Sequence, residues 1–204
     1  MHHLLQKWSG TVPDQWLLLL AQLPAAPSSA RVALWRRLRA AGAAGVHNGA
    51  WVLPSSEDHA KLFTQLAVTV RQQGGSAALF TITALNQSEQ DAVLARLRSD
   101  RAREYDEFTQ RTGGFFAEID KETQLQKFTF AELEEIEGDL EKLSTWLGKI
   151  RKRDFFPDDR LKEADATLES CRTALQAFVE KVYRQDGIAD SLDDTPAYSE
   201  GRHG

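Results

Sequence analysis

Four arginines fall within one short span, Arg31, Arg36, Arg37 and Arg39, in the sequence ARVALWRRLRA. A guanidinium is a rigid fork of N–H donors that fits phosphate or another oxyanion in a bidentate way. A second basic run, Lys149-Ile150-Arg151-Lys152-Arg153, closes a later apolar-periodic segment. These eight cations, Arg31, Arg36, Arg37, Arg39, Lys149, Arg151, Lys152 and Arg153, are the candidate contacts to an anionic partner such as DNA. Each cluster also has a bland reading. Cations at a helix C-terminus are favoured by the macrodipole, which suits the second run. On a helix from Ser29 to Ala41, with about 100° per residue, Leu34, Trp35, Leu38 and Ala41 share a face. Arg36 and Arg39 then project on one flank and Arg37 on the other. Leu34, Trp35 and Leu38, with Trp51, are expected in the core.

Charge along the chain favours the anionic-partner reading only modestly. The net charge is −5, yet residues 1–85 hold seven Lys/Arg against three Asp/Glu. Such an imbalance points to an anionic partner or to ordinary solvation.

Other chemistries find little support. None of His2, His3, His47, His59 and His203 stands at metal-ligand spacing from another His, Cys or carboxylate, so no metal or cofactor is expected. The single cysteine, Cys171, falls on an apolar seam, where a buried structural thiol belongs. There is no Gly-rich phosphate loop and no nucleophile elbow. The acids Glu132 to Glu141 lie on one amphipathic helix and read as a solvated face. No catalytic residue is assigned.

The elements that must hold the arginines follow from hydrophobic patterning. Trp16 to Leu23 is a short apolar run ended by Pro24, which suits a strand buried on both faces. Ser28 or Ser29 caps a helix to Ala41, with Gly42 at C′. Asn48-Gly49 turns the chain between a short strand near Val46 and the strand Ala50–Leu53. Ser55 or Ser56 caps a second helix, and Ala77 to Leu85 reads as a fourth strand. The order βαββαβ is the ferredoxin-like pattern.

A helical part follows. Asn86 with Glu89, and Thr129 with Glu132, form capping boxes. Leu133, Ile136, Leu140, Leu143, Leu147 and Ile150 form one heptad seam, and Leu161, Ala164, Leu168, Cys171, Leu175, Phe178 and Val182 another. The corner at Asp154-Phe155-Phe156-Pro157 should fold them into an antiparallel hairpin, or a three-helix bundle with the preceding helix. In that preceding helix Arg101 and Thr112 interrupt the seam of Leu94, Leu97, Tyr105, Phe108, Phe115 and Ile119. The seams can bury within one chain, pair two copies or dock a partner protein. Beyond Gln185 the acidic, polar sequence reads as a disordered tail. The longest apolar run, Trp16–Ala21, is shorter than the roughly 20 residues a membrane span needs. With no secretory leader, a cytoplasmic protein is expected.

The segments WLLLLAQLP (Trp16–Pro24), ARVALWRRLRAAGA (Ala30–Ala43), GAWVLP (Gly49–Pro54) and RKRDFFP (Arg151–Pro157), in that order, resemble the N-terminal region of ChrB. ChrB proteins are bacterial chromate-resistance proteins, some of them chromate-responsive regulators of an efflux operon. The resemblance covers about residues 12–184. It implies a regulator that binds promoter DNA, with chromate or another oxyanion as a further ligand. The first segments are also similar to the ferredoxin-like, Cas2-like domain of PaaX-type repressors. Cas2-type nucleases carry a metal-binding Asp at the end of the first strand, where this chain has Ala21-Gln22-Leu23-Pro24. Asp14 lies at the other end, so two-metal hydrolysis lacks a ligand set and no nuclease is expected. ChrB proteins commonly continue into a C-terminal domain, so a stand-alone N-terminal module is also expected. A non-catalytic module that partners a separate chromate-resistance domain is the alternative.

The expected fold is therefore α+β: a ferredoxin-like domain at 12–86, a helical domain at 87–184 and a tail at 185–204.

Overall fold

The computed structural model of the protein describes residues 13–26 and 28–187. His2, His3, His203 and the expected tail from residue 188 onward lie outside them. The first six elements appear in the expected order: β1 (Trp16–Gln22), α1 (Ser28–Ala40), β2 (Ala44–His47), β3 (Ala50–Pro54), α2 (Glu57–Gln72) and β4 (Ser76–Ile82). The strands make one antiparallel sheet in the order β2-β3-β1-β4. The architecture is α+β and ferredoxin-like, followed by three long helices, α3 (Gln87–Gln124), α4 (Phe130–Arg153) and α5 (Asp159–Gln185).

Local chemistry explains the boundaries. The Ser56 hydroxyl accepts the His59 N–H at 3.1 Å and starts α2. Asn86 Oδ1 accepts the Glu89 N–H at 3.0 Å, and Thr129 Oγ1 the Glu132 N–H at 3.3 Å. Gly49, at φ +73°, turns β2 into β3 and lies so close to β1 that a Cβ there would stand 2.6 Å from the Ala21 carbonyl oxygen.

The core confirms most of the sequence pattern and corrects some of it. β1 is central, with Leu17 opposite Leu53 and Thr81, and Leu19 opposite Trp51 and Leu79. Trp16, Leu19, Val52, Leu53, Leu38, Phe63, Leu66 and Val70 form its buried centre. Each side chain fully removed from water contributes about 1.5–3 kcal/mol before entropy is counted. β1 is nevertheless not buried on both faces throughout. Leu20 is 40% exposed, and Phe80, opposite Leu18 on the edge strand β4, is 49% exposed. The described elements leave that end of the sheet open.

The helical part differs from expectation in where it divides. α3 runs through Gly113-Gly114 to Gln124. Each glycine costs about 1 kcal/mol relative to alanine, yet Phe115 and Ile119 continue the buried stripe beyond them. The two compact units do not meet at residue 86. The first holds the sheet, α1, α2, α3 up to Asp106 and the segment Gly148–Leu161. The second holds Glu107–Leu147 and, among the described residues, 162–187. Hydrophobic burial accounts for the discontinuity, because Leu94, Leu97, Phe155 and Phe156 join the sheet's core cluster. The Phe155-Phe156 corner thus anchors the chain as well as turning it. Phe156 meets Trp16 with ring centroids 6.0 Å apart, and Phe155 meets His59 edge-on at 5.1 Å.

In the second unit the seams are buried within one chain, Leu133, Ile136, Leu143 and Leu147 on α4 and Ala164, Leu168, Cys171, Phe178 and Val182 on α5. Phe128 and Phe130, at the start of α4, touch Phe178 and Tyr183, near the end of α5. The two helices are therefore antiparallel. Phe108 of α3 meets Trp146 of α4, and Arg111 caps the same ring at 5.1 Å. Thr112, one of the two seam interruptions, is buried with its hydroxyl donated to the Thr109 carbonyl at 2.8 Å.

Two predictions follow from these environments. Burial pushes the Cys171 thiol up to about 11, so a thiol reagent added to the native protein at pH 8 should react many-fold slower than with the urea-unfolded chain. His59 donates Nδ1–H to the Pro54 carbonyl at 2.7 Å, and burial holds it below the ordinary histidine value. The unfolded chain binds this proton first, so the His59 contribution to stability is complete above about pH 6.5 and is lost on acidification below that. Urea midpoints at pH 7.5 and 5.5 should differ more for the wild type than for His59→Phe.

Candidate nucleic-acid interface

α1 carries four arginines and no acidic residue. Its buried stripe is narrow: Leu38 is fully enclosed and Leu34 half-buried. Trp35, expected in the core, is 53% exposed. The reason is angular, since Leu34 and Leu38 centre the stripe and Trp35 lies about 100° round from Leu34, on the flank shared with Arg31 and Arg39. Trp51 is half-buried. Arg31, Arg36 and Arg37 are exposed, and among the described residues no ion pair holds them.

Arg39 is placed differently. Its Nη1 meets Asp100 of α3 at 2.5 Å, and Asp100 is only 2% exposed. Arg103, one turn further along α3, donates to the other carboxylate oxygen. The next turn repeats the pattern. Arg153, at the end of α4, donates Nε–H to Glu104 Oε2 at 2.8 Å. Arg101, 5% exposed, brings Nη1 to 2.9 Å from the same oxygen, without the alignment of a hydrogen bond. Burial lowers the Arg101 pKa; Glu104 opposes that shift, and the nearby Arg153 and Arg39 add to it. Tyr105 donates its hydroxyl to Asp154 Oδ2 at 2.8 Å, and burial raises that carboxyl above the usual range.

The ends of α1 and α4 are therefore locked together. Gly42, at φ +81°, passes so close that a Cβ would lie 2.8 Å from both Cβ and the carbonyl oxygen of Arg153. Both basic clusters converge on this corner, and each spends one arginine on holding it. Arg39 and Arg153 fix the helix ends, while Arg36, Arg37, Lys149, Arg151 and Lys152 remain exposed beside them. Sequence reading missed Asp100, Glu104 and Asp154 as partners. The signal was Arg101 itself, a charged residue at an apolar seam position, which demands a buried counter-charge.

This difference in environment is measurable. Asp100→Ala strands Arg39 and Arg103 and should lower stability by about 2 kcal/mol, below the 3–5 kcal/mol typical of a fully buried pair because Arg39 is a quarter exposed. Arg36→Ala should change it by no more than about 0.5 kcal/mol. Urea unfolding of the two variants decides this.

No helix among the described residues is long and apolar enough to cross a membrane. A family model described as Protein ChrB, N-terminal, matches residues 31–188, a span that includes α1 from Arg31 and every element after it. The chain is also 28% identical over 168 residues to Protein ChrB of Cupriavidus metallidurans, a match covering 80% of this chain and 47% of that protein. The chain thus spans about half the length of the curated relative it matches. The four α1 arginines, strands β2 to β4 and the Phe155-Phe156 corner lie within the matched span, β1 lies before it, and the chain belongs to the ChrB N-terminal family.

Proposed function

We propose that this protein is a cytoplasmic, non-catalytic regulator in chromate resistance that binds promoter DNA through α1. The observation that carries the reading is the division of labour among the arginines. Arg39 is held by the buried Asp100 carboxylate and Arg153 by the partly buried Glu104, whereas Arg31, Arg36 and Arg37 stand exposed on a helix without acids. A helix whose C-terminal end is fixed by an ion pair presents its remaining cations at a set spacing, which suits phosphate contact at low entropic cost. Lys149, Arg151 and Lys152, exposed at the end of α4, extend the basic surface from the same corner. Membership of the ChrB family supports the link to chromate resistance, with the regulatory role carried over from the family resemblance.

Phosphate contact makes binding salt-dependent, with each neutralised phosphate adding about 0.9 to the slope of log K against log salt. The test is a salt-titrated mobility shift with DNA from upstream of the operon. Arg36→Ala/Arg37→Ala should weaken binding similarly on any sequence and reduce the slope by about two. Equal affinity and slope for variant and wild type would remove α1 from the interface. A wild-type chain that binds no DNA but retains a partner protein in a pull-down would favour the interaction-module alternative.

A further inference from the structure

Beside the α1 arginines the first unit carries an aromatic groove that phosphate binding leaves unused. Trp35 of α1, Val46 of β2, Trp51 of β3, and Val93 and Arg96 of α3 line it. Trp35 and Val46 are both exposed, Trp35 by about half. The Trp51 ring lies across Gly45, in ordinary contact at 3.5 Å with the place where a Cβ would stand. On the other side of the Asn48-Gly49 turn a second hollow is lined by Arg31, Asn48, Gln22 and Ser76. The two hollows share that turn. One offers π-faces; the other offers a guanidinium and neutral hydrogen-bonding groups.

We infer that the groove at Trp35 and Trp51 receives a nucleobase unstacked from a nucleic-acid strand, with the adjoining phosphate held by Arg31 and Asn48. This rests on the nucleic-acid reading above and adds to it a base-stacking site. The charge of the surroundings selects this occupant. Arg31 shares the Trp35 flank, Arg36 lies about 100° round α1 from it and Arg96 borders the groove, against the single acid Glu89 in the lining. An apolar protein segment would gain nothing from that cationic frame. Phosphate alone would gain nothing from a half-exposed indole. A nucleotide uses both, because every base has a π-face that stacks on an aromatic ring and every linkage carries a negative charge.

The test measures binding of the full chain to three labelled DNAs of one sequence: a single strand, a duplex with one bulged base, and the fully paired duplex. Stacking on one aromatic side chain accounts for roughly ten-fold in affinity. Trp35→Ala is expected to lose about that factor on the single strand and the bulged duplex, and less than about two-fold on the paired duplex. Trp35→Phe is expected to keep most of the wild-type affinity. Trp35 is exposed, so both variants should melt at the wild-type temperature, which circular dichroism checks.

Three outcomes overturn the inference. If Trp35→Ala binds all three DNAs like the wild type while Arg36→Ala/Arg37→Ala binds weakly, the base site falls and the phosphate surface stands. If the wild type binds none of the three at low salt, the nucleic-acid reading falls and takes this one with it. If Trp35→Ala abolishes a dimer seen in sedimentation while DNA affinity is retained, the groove belongs to a second copy of the chain.

Discussion

A carboxylate drawn wholly or partly out of water needs compensating positive charge, and the first unit meets that need twice on successive turns of α3. Asp100 is met by Arg39 and Arg103, and Glu104 by Arg101 and Arg153. Two of these four arginines come from other helices, so buried Asp100 and partly buried Glu104 fix the C-terminal ends of α1 and α4 beside α3. The geometry around them fits: α1 can end where it does because Gly42 accepts a positive φ and carries no Cβ to collide with Arg153. Removing either acid would leave guanidinium groups drawn inward with nothing to neutralise them.

The same constraint sorts the basic residues by job. A cation held within 3 Å of a carboxylate is already paired and offers little to a partner, while one exposed to solvent stays available. Composition treats Arg36 and Arg39 alike, but the structure places them in different environments. The exposure of Trp35 belongs to this arrangement as well. With Leu34 and Leu38 taking the buried stripe and Arg39 turned to α3, the flank between them faces a groove rather than the core.

Much of the fold was legible because it rests on short-range rules. The βαββαβ order followed from apolar runs, Ser56 and Asn86 from capping, and Gly42 and Gly49 from positive φ. Both seams were readable because a 3.5-residue apolar period has few other uses. The unit boundary was not readable. It depends on Phe155 and Phe156 packing with Trp16 and His59, nearly a hundred or more residues away in sequence, and the local reading makes that segment only a corner. The candidate site was half legible: all eight cations could be named, yet nothing local distinguished Arg39 and Arg153 from their neighbours. Arg101 was noticed only as a flaw in a seam.

The sequence by itself determined the order of the elements, the caps and turns that bound them, and the stock of arginines available to an anion. Those properties depend on residues within a turn or two of one another, and their physics is contained in a short window. Tertiary structure decided which arginines are neutralised, which tryptophan stays exposed and which chain segments share a core. Each of those outcomes turns on a partner distant in the chain, such as Asp100 for Arg39, Glu104 for Arg153 and the sheet core for Phe156. Whether a charge or a ring is satisfied is a property of the pair, and only folding brings the pair together.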